Sequence, residues 1–243
     1  FEVSIVAMAV LTTLTSVSAD DAEFYAIKKV TLEQVAEQQV PTPSPSVEGI
    51  APAFPSEGEL DASLATPVVP LSKIEEISVL LDQVENLGKK VWVLLEKGKP
   101  VVNLKTDTAS ALPKGVKTWM NLSGWKAPKS HVYRLRIENG FGLTVIDYSF
   151  RVIYTAGGSL NGKGHYLTQV SVIPDSVNVV WGFNLNSEVL VPNVVNVGTA
   201  QNPVAGMELL VTWKSTTVMS HVEGSKSFFV QGDGAFLDVS NRH

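Results

Sequence analysis

The chain has no cysteine among its 243 residues, which removes disulfides, thiolate metal sites and a cysteine nucleophile from consideration. Histidine is nearly as scarce. His131, His165, His221 and His243 stand far apart, with no His-x-His or His-Glu-x-x-His pair, so neither a metal site nor a cofactor is expected. Basic charge is also short: 19 Lys and Arg against 24 Asp and Glu leave a net charge of −5. Without a basic cluster there is no electrostatic footprint of a nucleic-acid binder, and nucleic acid is excluded as an expected partner. No uninterrupted apolar run reaches the ~20 residues of a membrane helix. What is present is 44% apolar content, enough for a sizeable globular core.

The first apolar stretch lies at the N-terminus. Residues 4–14, Ser-Ile-Val-Ala-Met-Ala-Val-Leu-Thr-Thr-Leu, have the length of a signal-peptide apolar region, and Val17-Ser18-Ala19 offers small residues ahead of Asp20-Asp21. Residues 1–19 therefore read as a signal peptide whose basic start precedes Phe1. This places the protein among exported ones, periplasmic, cell-surface or extracellular, with no membrane span after cleavage. Residues 20–70 read as a polar, Pro-rich disordered linker. Up to Gln39 only Leu32, Val35 and Ala36 hint at a weak short helix, and between Val40 and Pro70 fall seven of the thirteen prolines. Proline removes backbone donors and favours extended polyproline II, which suits a spacer.

Residues 71–98 read as one long amphipathic helix. Ser72-Lys73-Ile74-Glu75 fits a capping box. Ile74, Ile77, Leu81, Val84, Gly88, Val91 and Leu95 recur at helical spacing, and Gly98 then Pro100 would end the helix. Gly88 on the apolar stripe points to the close approach of another backbone.

From residue 99 to 243 the pattern is that of strands. Asn139-Gly140 is a hairpin signal of the two-residue type I′ kind. After it Ile146, Tyr148, Phe150, Val152 and Tyr154 alternate with Asp147, Ser149 and Arg151. His165–Ile173 is expected to break at Pro174-Asp175-Ser176, with Val177–Val191 running back and placing Val177, Val179, Trp181, Phe183 and Leu185 on one face. Met207, Leu209, Val211 and Trp213 alternate with Glu208, Thr212 and Lys214, and Ser227–Val230 and Ala235–Val239 close the set. The fold class is mainly β: an antiparallel β-sandwich, or a closed barrel, of about seven strands. An outer-membrane barrel would need lipid-facing belts on eight or more strands.

Motifs for chemistry are weak. Gly157-Gly158-Ser159-Leu160-Asn161-Gly162-Lys163-Gly164 imitates a phosphate loop, but Gly164 replaces the Ser or Thr after the lysine and a strand follows instead of a helix. A glycine-rich hairpin is the better reading. Asp147 and Asp175 with Ser149 and His165 could converge only by tertiary geometry, since no nucleophile elbow is present. Gln231-Gly232-Asp233-Gly234 reads as a tight turn lacking the further acids of a calcium loop. No catalytic residue is therefore assigned. Trp119 and Trp125 lie in the loop-rich stretch Thr106–Ser130. Exposed, they could stack on sugar rings; alternatively they plug the edge of the β-domain. Asn121-Leu122-Ser123 matches a glycosylation acceptor.

Four short segments, Lys99-Pro100-Val101-Val102-Asn103, Ala127-Pro128-Lys129-Ser130, Arg151-Val152-Ile153-Tyr154 and Val230-Gln231-Gly232-Asp233-Gly234, resemble a group of secreted bacterial proteins of uncharacterised function over residues 90–236. The resemblance implies export and a β-rich domain, and it carries no activity. The expected function is thus a non-catalytic exported domain that binds a protein or glycan partner through loops or a sheet edge. A glycan-binding module using Trp119 and Trp125 is the alternative, and a secreted hydrolase with an unrecognised site is the second.

Overall fold

The structure is a computed structural model that describes residues 18–39, 84–102 and 107–239. The signal-like residues up to 17, the Pro-rich stretch and the start of the expected helix lie outside the described residues. Those described form two antiparallel sheets and one short helix. In chain order these are α1 (Ala19–Tyr25), β1 (Ile27–Gln39), β2 (Val84–Gly88), β3 (Val91–Glu96), β4 (Lys99–Pro100), β5 (Ala109–Pro113), β6 (Lys129–Asn139), β7 (Thr144–Leu160), β8 (Lys163–Val179), β9 (Asn184–Leu190), β10 (Val194–Asn196), β11 (Ala205–Thr216), β12 (His221–Gln231) and β13 (Phe236–Asp238). One sheet is ordered β1-β6-β7-β8-β5-β2; the other is β13-β12-β11-β9-β3-β4, with β10 beside β11. Neither closes into a barrel among the described residues, and the arrangement is sandwich-like.

The period-two faces read from the sequence meet in one core. Tyr133, Leu135, Ile137, Ile146, Tyr148, Phe150, Val152 and Tyr154 of the first sheet, and Leu185, Val189, Met207, Leu209, Val211 and Phe228 of the second, are all buried. They touch across the gap: the Tyr133 and Phe228 rings lie 4.6 Å apart, and Trp92 donates its indole N–H across to the Val172 carbonyl. The other face of the first sheet is solvated and laced with ion pairs, Arg134 with Asp147, Arg136 with Glu33, Arg151 with Asp175 and Lys29 with Glu138.

Three expectations are corrected. Val84–Gly88 and Val91–Glu96 are the strands β2 and β3, not helix. Val-Trp-Val-Leu-Leu buries Trp92 and Leu94 and exposes Val91 and Val93, a period of two that the 3.6-residue reading concealed. Lys97 (φ 49°) and Gly98 (φ 74°) are the two central residues of a tight turn into β4 rather than a helix cap. Gly88 does meet another backbone, since a Cβ there would lie 2.3 Å from the Thr108 carbonyl oxygen. Second, residues 19–39 form α1 and a thirteen-residue edge strand instead of linker. On β1, Leu32 opposite Leu135 is half-buried while Val30 and Val35 are exposed, too little alternation to mark a strand. Third, β8 runs through Pro174. The proline sits at a bulge opposite Phe150, past the reach of β5, whose pairs with β8 end at Val170, so its missing N–H is tolerated. The chain turns instead at Trp181-Gly182, where it crosses from β8 in one sheet to β9 in the other.

The type I′ signal was right in kind but belongs elsewhere. Asn161 (φ 52°) and Gly162 (φ 75°) join β7 to β8 in that way, whereas the β6–β7 turn is a three-residue loop with its left-handed residue at Gly142 (φ 78°). The phosphate-loop imitation is thereby a hairpin. Among the described residues there are thirteen strands against the expected seven: β1 falls in the expected linker, β2 and β3 in the expected helix, and β4, β5 and β10 have five residues or fewer.

Two outcomes follow. Phe150→Ala is expected to lower stability by about 3–5 kcal/mol in urea unfolding, because Phe150 is fully buried; a loss under about 1 kcal/mol would contradict its central place in the core. Second, hydrogen bonds from the Arg134 guanidinium hold the Asp147 carboxyl below its usual range. A depressed pKa stabilises the fold above the ordinary carboxylate value near ~4 and the benefit is lost as pH falls through the folded value. Asp147→Asn should therefore flatten the decline in stability below about pH 4, measured by acid titration of the unfolding midpoint.

Candidate functional site

The two tryptophans singled out from the sequence have different roles. Thr118 caps a short 3-10 turn, Trp119–Asn121, by accepting a hydrogen bond from Met120 N–H. Trp125 donates its indole N–H to the Trp119 carbonyl, and the rings meet edge to face at 6.5 Å. Trp125 then lies over Gly158, where a Cβ would come within 2.3 Å of its ring, and it packs against the core. It is a plug. Trp119 keeps 41% of its surface exposed, so only this ring offers a face to a ligand.

The polar groups considered for a hydrolytic site, Asp147, Asp175, Ser149 and His165, are not brought together. Asp147 is engaged by Arg134, Asp175 accepts from Arg151 at 2.8 Å, and Ser149 bonds to Ser176 at 2.7 Å. His165 is near the start of β8, eleven residues from Ser176, or roughly 30 Å along a strand. His221 opens β12 and is exposed. His131 is buried, shares the inward face of β6 and stacks on Phe236 at 3.8 Å; His243 lies outside the described residues. Among the described residues no three His, Asp or Glu side chains are placed to hold a metal, and no helix is long and apolar enough to cross a membrane.

The site that sequence reasoning missed is one end of the sandwich. Three loops converge there around α1. The C-terminal carbonyls of a helix have no partner within it, and here the loops supply the donors: Gly140 N–H to Glu23 O (3.1 Å), Asn139 Nδ2 to Phe24 O (3.2 Å), and the hydroxyls of Thr217 and Ser220 to Tyr25 O (3.0 and 2.7 Å). Phe24 and Tyr25 pack on Phe183 at 5.9 and 6.1 Å. With their backbones anchored, the loops hold apolar side chains in water. Trp181 is 84% exposed and Val218 80%, and Leu143, Phe141 and Met219 are also exposed.

Local sequence explains each tip. Phe183 N–H bonds to Val180 O at 3.1 Å, and Gly182 has φ 88°. This is a type II turn, which puts Trp181 at the outward corner and needs glycine next. Strict alternation along Val177–Leu185 would have turned Trp181 inward; the Trp-Gly pair was the available signal of a turn. Val218 and Met219 stand between Thr217 and Ser220, whose backbone pair closes at 2.8 Å. Trp181 and Val218 border one concavity of about 680 Å³ together with Lys97 and Lys99.

Two other concavities lie away from this end. A shallow trough of about 850 Å³ crosses β3, β9, β11 and β12, with Glu96, Glu188, Lys214 and Glu223 along it. A smaller one of about 320 Å³ opens between β1 and β13 beside His131, Tyr133, Phe236 and Asp238. Lys226 meets Asp238 there at 2.8 Å, and burial pushes the Tyr133 hydroxyl pKa up, with Asp238 adding to the effect. Neither includes Trp119 or Trp125. No family model, curated protein or solved structure matches the chain.

The two tryptophans separate cleanly in one measurement. Trp125→Ala should lower unfolding stability by about 2 kcal/mol or more, and Trp119→Ala by well under about 1 kcal/mol. Equal losses in thermal unfolding would overturn the division into plug and exposed ring.

Proposed function

We propose that this chain is an exported, non-catalytic β-domain of the bacterial envelope or secretome that binds a partner through the loops at its α1 end. The observation that carries the reading is the exposure of Trp181, Val218, Leu143, Phe141 and Met219 on three loops tied to one helix. Scattered exposed apolar residues are ordinary on a protein surface; grouped ones mark an interaction site. Tryptophan in particular contributes large contact area at little cost in side-chain entropy. The paired state of Asp147, Asp175 and Ser149 favours binding over hydrolysis.

A glycan-binding module remains the second reading, and the half-exposed Trp119 ring is what favours it. It would use the far end of the domain, because β7 begins beside Leu143 and carries Gly158, under Trp125, roughly 40 Å away.

The test is sedimentation of the purified full chain with washed bacterial envelope fractions. The wild type is expected to co-sediment, and Trp181→Ser combined with Val218→Ser to lose about tenfold or more in affinity with an unchanged melting temperature. Equal binding by both chains would remove the loop end from consideration. A glycan array that returns no Trp119-dependent signal would dismiss the second reading.

A further inference from the structure

Resting on the reading of the α1 end as the binding surface, we infer that its partner is a lipid bilayer, with Trp181, Val218, Leu143, Phe141 and Met219 entering the interfacial layer. The tips project singly from turns, a form that suits insertion among acyl chains and headgroups, where Trp is at home and aliphatic side chains leave water. They cannot fold back. A Cβ at Gly182 would lie 2.6 Å from the Tyr25 ring, and the Thr217 and Ser220 hydroxyls are committed to Tyr25 O.

The chain's own course points the same way. Ser18 caps α1 at this end, its hydroxyl accepting from Asp21 N–H. The apolar residues 4–14 precede it by three residues. Leu14 and Ser18 are four steps apart, at most ~14 Å of chain. While residues 1–19 remain attached, a bilayer that takes up that segment lies against the α1 end and not against the end that carries Trp125. Charge does not choose the lipid: the exposed Lys28, Lys97 and Lys99 are offset by the exposed Asp20, Asp21, Glu23 and Glu96. Docking by transfer of apolar side chains is accordingly indifferent to headgroup charge and to salt.

The absence of cysteine allows a site-specific test on the full chain. A polarity-sensitive fluorophore is attached in turn to Val218→Cys and to Lys163→Cys, the latter on the exposed β7–β8 hairpin at the far end. Each is mixed with protein-free vesicles of phosphatidylcholine or of phosphatidylglycerol. The label at 218 is expected to shift to the blue and to be quenched by brominated lipid in both vesicles, at low and high salt, while the label at 163 stays unchanged. Adding Trp181→Ser should raise the lipid concentration needed about tenfold. Attachment through residues 4–14 alone would leave the 218 label unshifted and overturn the inference, as would equal shifts at both positions. A 218 label that responds to envelope fractions but not to protein-free vesicles would overturn the lipid partner and leave the binding surface standing. A 218 label silent with both would overturn both.

Discussion

Two alternating faces must leave water together, and the rest of the structure follows from that. Neither sheet can bury its inner row alone: Tyr133, Tyr148 and Phe150 on one need Phe228, Leu209 and Val211 on the other. Each such side chain contributes on the order of 1.5–3 kcal/mol when removed from water. A register slip by one residue would turn a whole row outward, so burial fixes the pairing of β6, β7, β8 and β11. The large rings carry polar ends inward as well. Burial pushes the Tyr148 hydroxyl pKa up and Tyr154 donates to Gly234 O at 3.2 Å. Where the sheets open, at β12 and β13, Lys226 and Asp238 pair at the rim of the core, the place where a charge can remain partly hydrated.

This constraint also decides what could be read from the sequence. Strands with five or more alternating residues were legible, and Ile146 to Tyr154 and Met207 to Trp213 are buried as their spacing required. The edge strand β1 was not. β1 gains its stability from a full ladder with β6, and ladder hydrogen bonds are made by the backbone whatever the side chains are. β3 has apolar residues on both faces, so a helical stripe could be drawn through it as easily as a strand. The two Asn-Gly pairs show the same limit. At Asn161-Gly162 nothing competes with the local turn preference. At Asn139 the side chain is drawn into two tertiary bonds, accepting from Leu143 N–H and donating to Phe24 O, and the loop lengthens.

Helix α1 is seven residues long, too short to persist by itself in water. Its carbonyl end is completed by the β6–β7 and β11–β12 loops, and those loops owe their geometry to it. Helix and loops therefore form one cooperative unit. A segment that resembled a polar linker in composition is the keystone of the loop end, because what it contributes is backbone acceptors and two rings, Phe24 and Tyr25, rather than an apolar stripe. Phe24, Tyr25 and the Ser18 cap form no motif, and none of them specifies a docking site without the partner loops.

The two ends of the domain treat aromatic residues in opposite ways. At the far end, Trp125 covers Gly158 and Lys126 N–H bonds to Ala156 O at 2.9 Å, so that end closes on itself. At the α1 end, Trp181 is placed on a type II corner whose following glycine is pressed against Tyr25, and the ring is left in water. An apolar ring could readily be buried by a small change of turn, yet Gly182 and the packing of Phe183 on Phe24 and Tyr25 stabilise the outward form. Exposure enforced by local structure, on three loops at once, differs from the incidental exposure of Val30 or Val91 along a strand. The first depends on a set of hydrogen bonds that would otherwise have no reason to converge, and for that reason the loop end, rather than the polar trough or the tryptophan pair, is where the structure points to a partner.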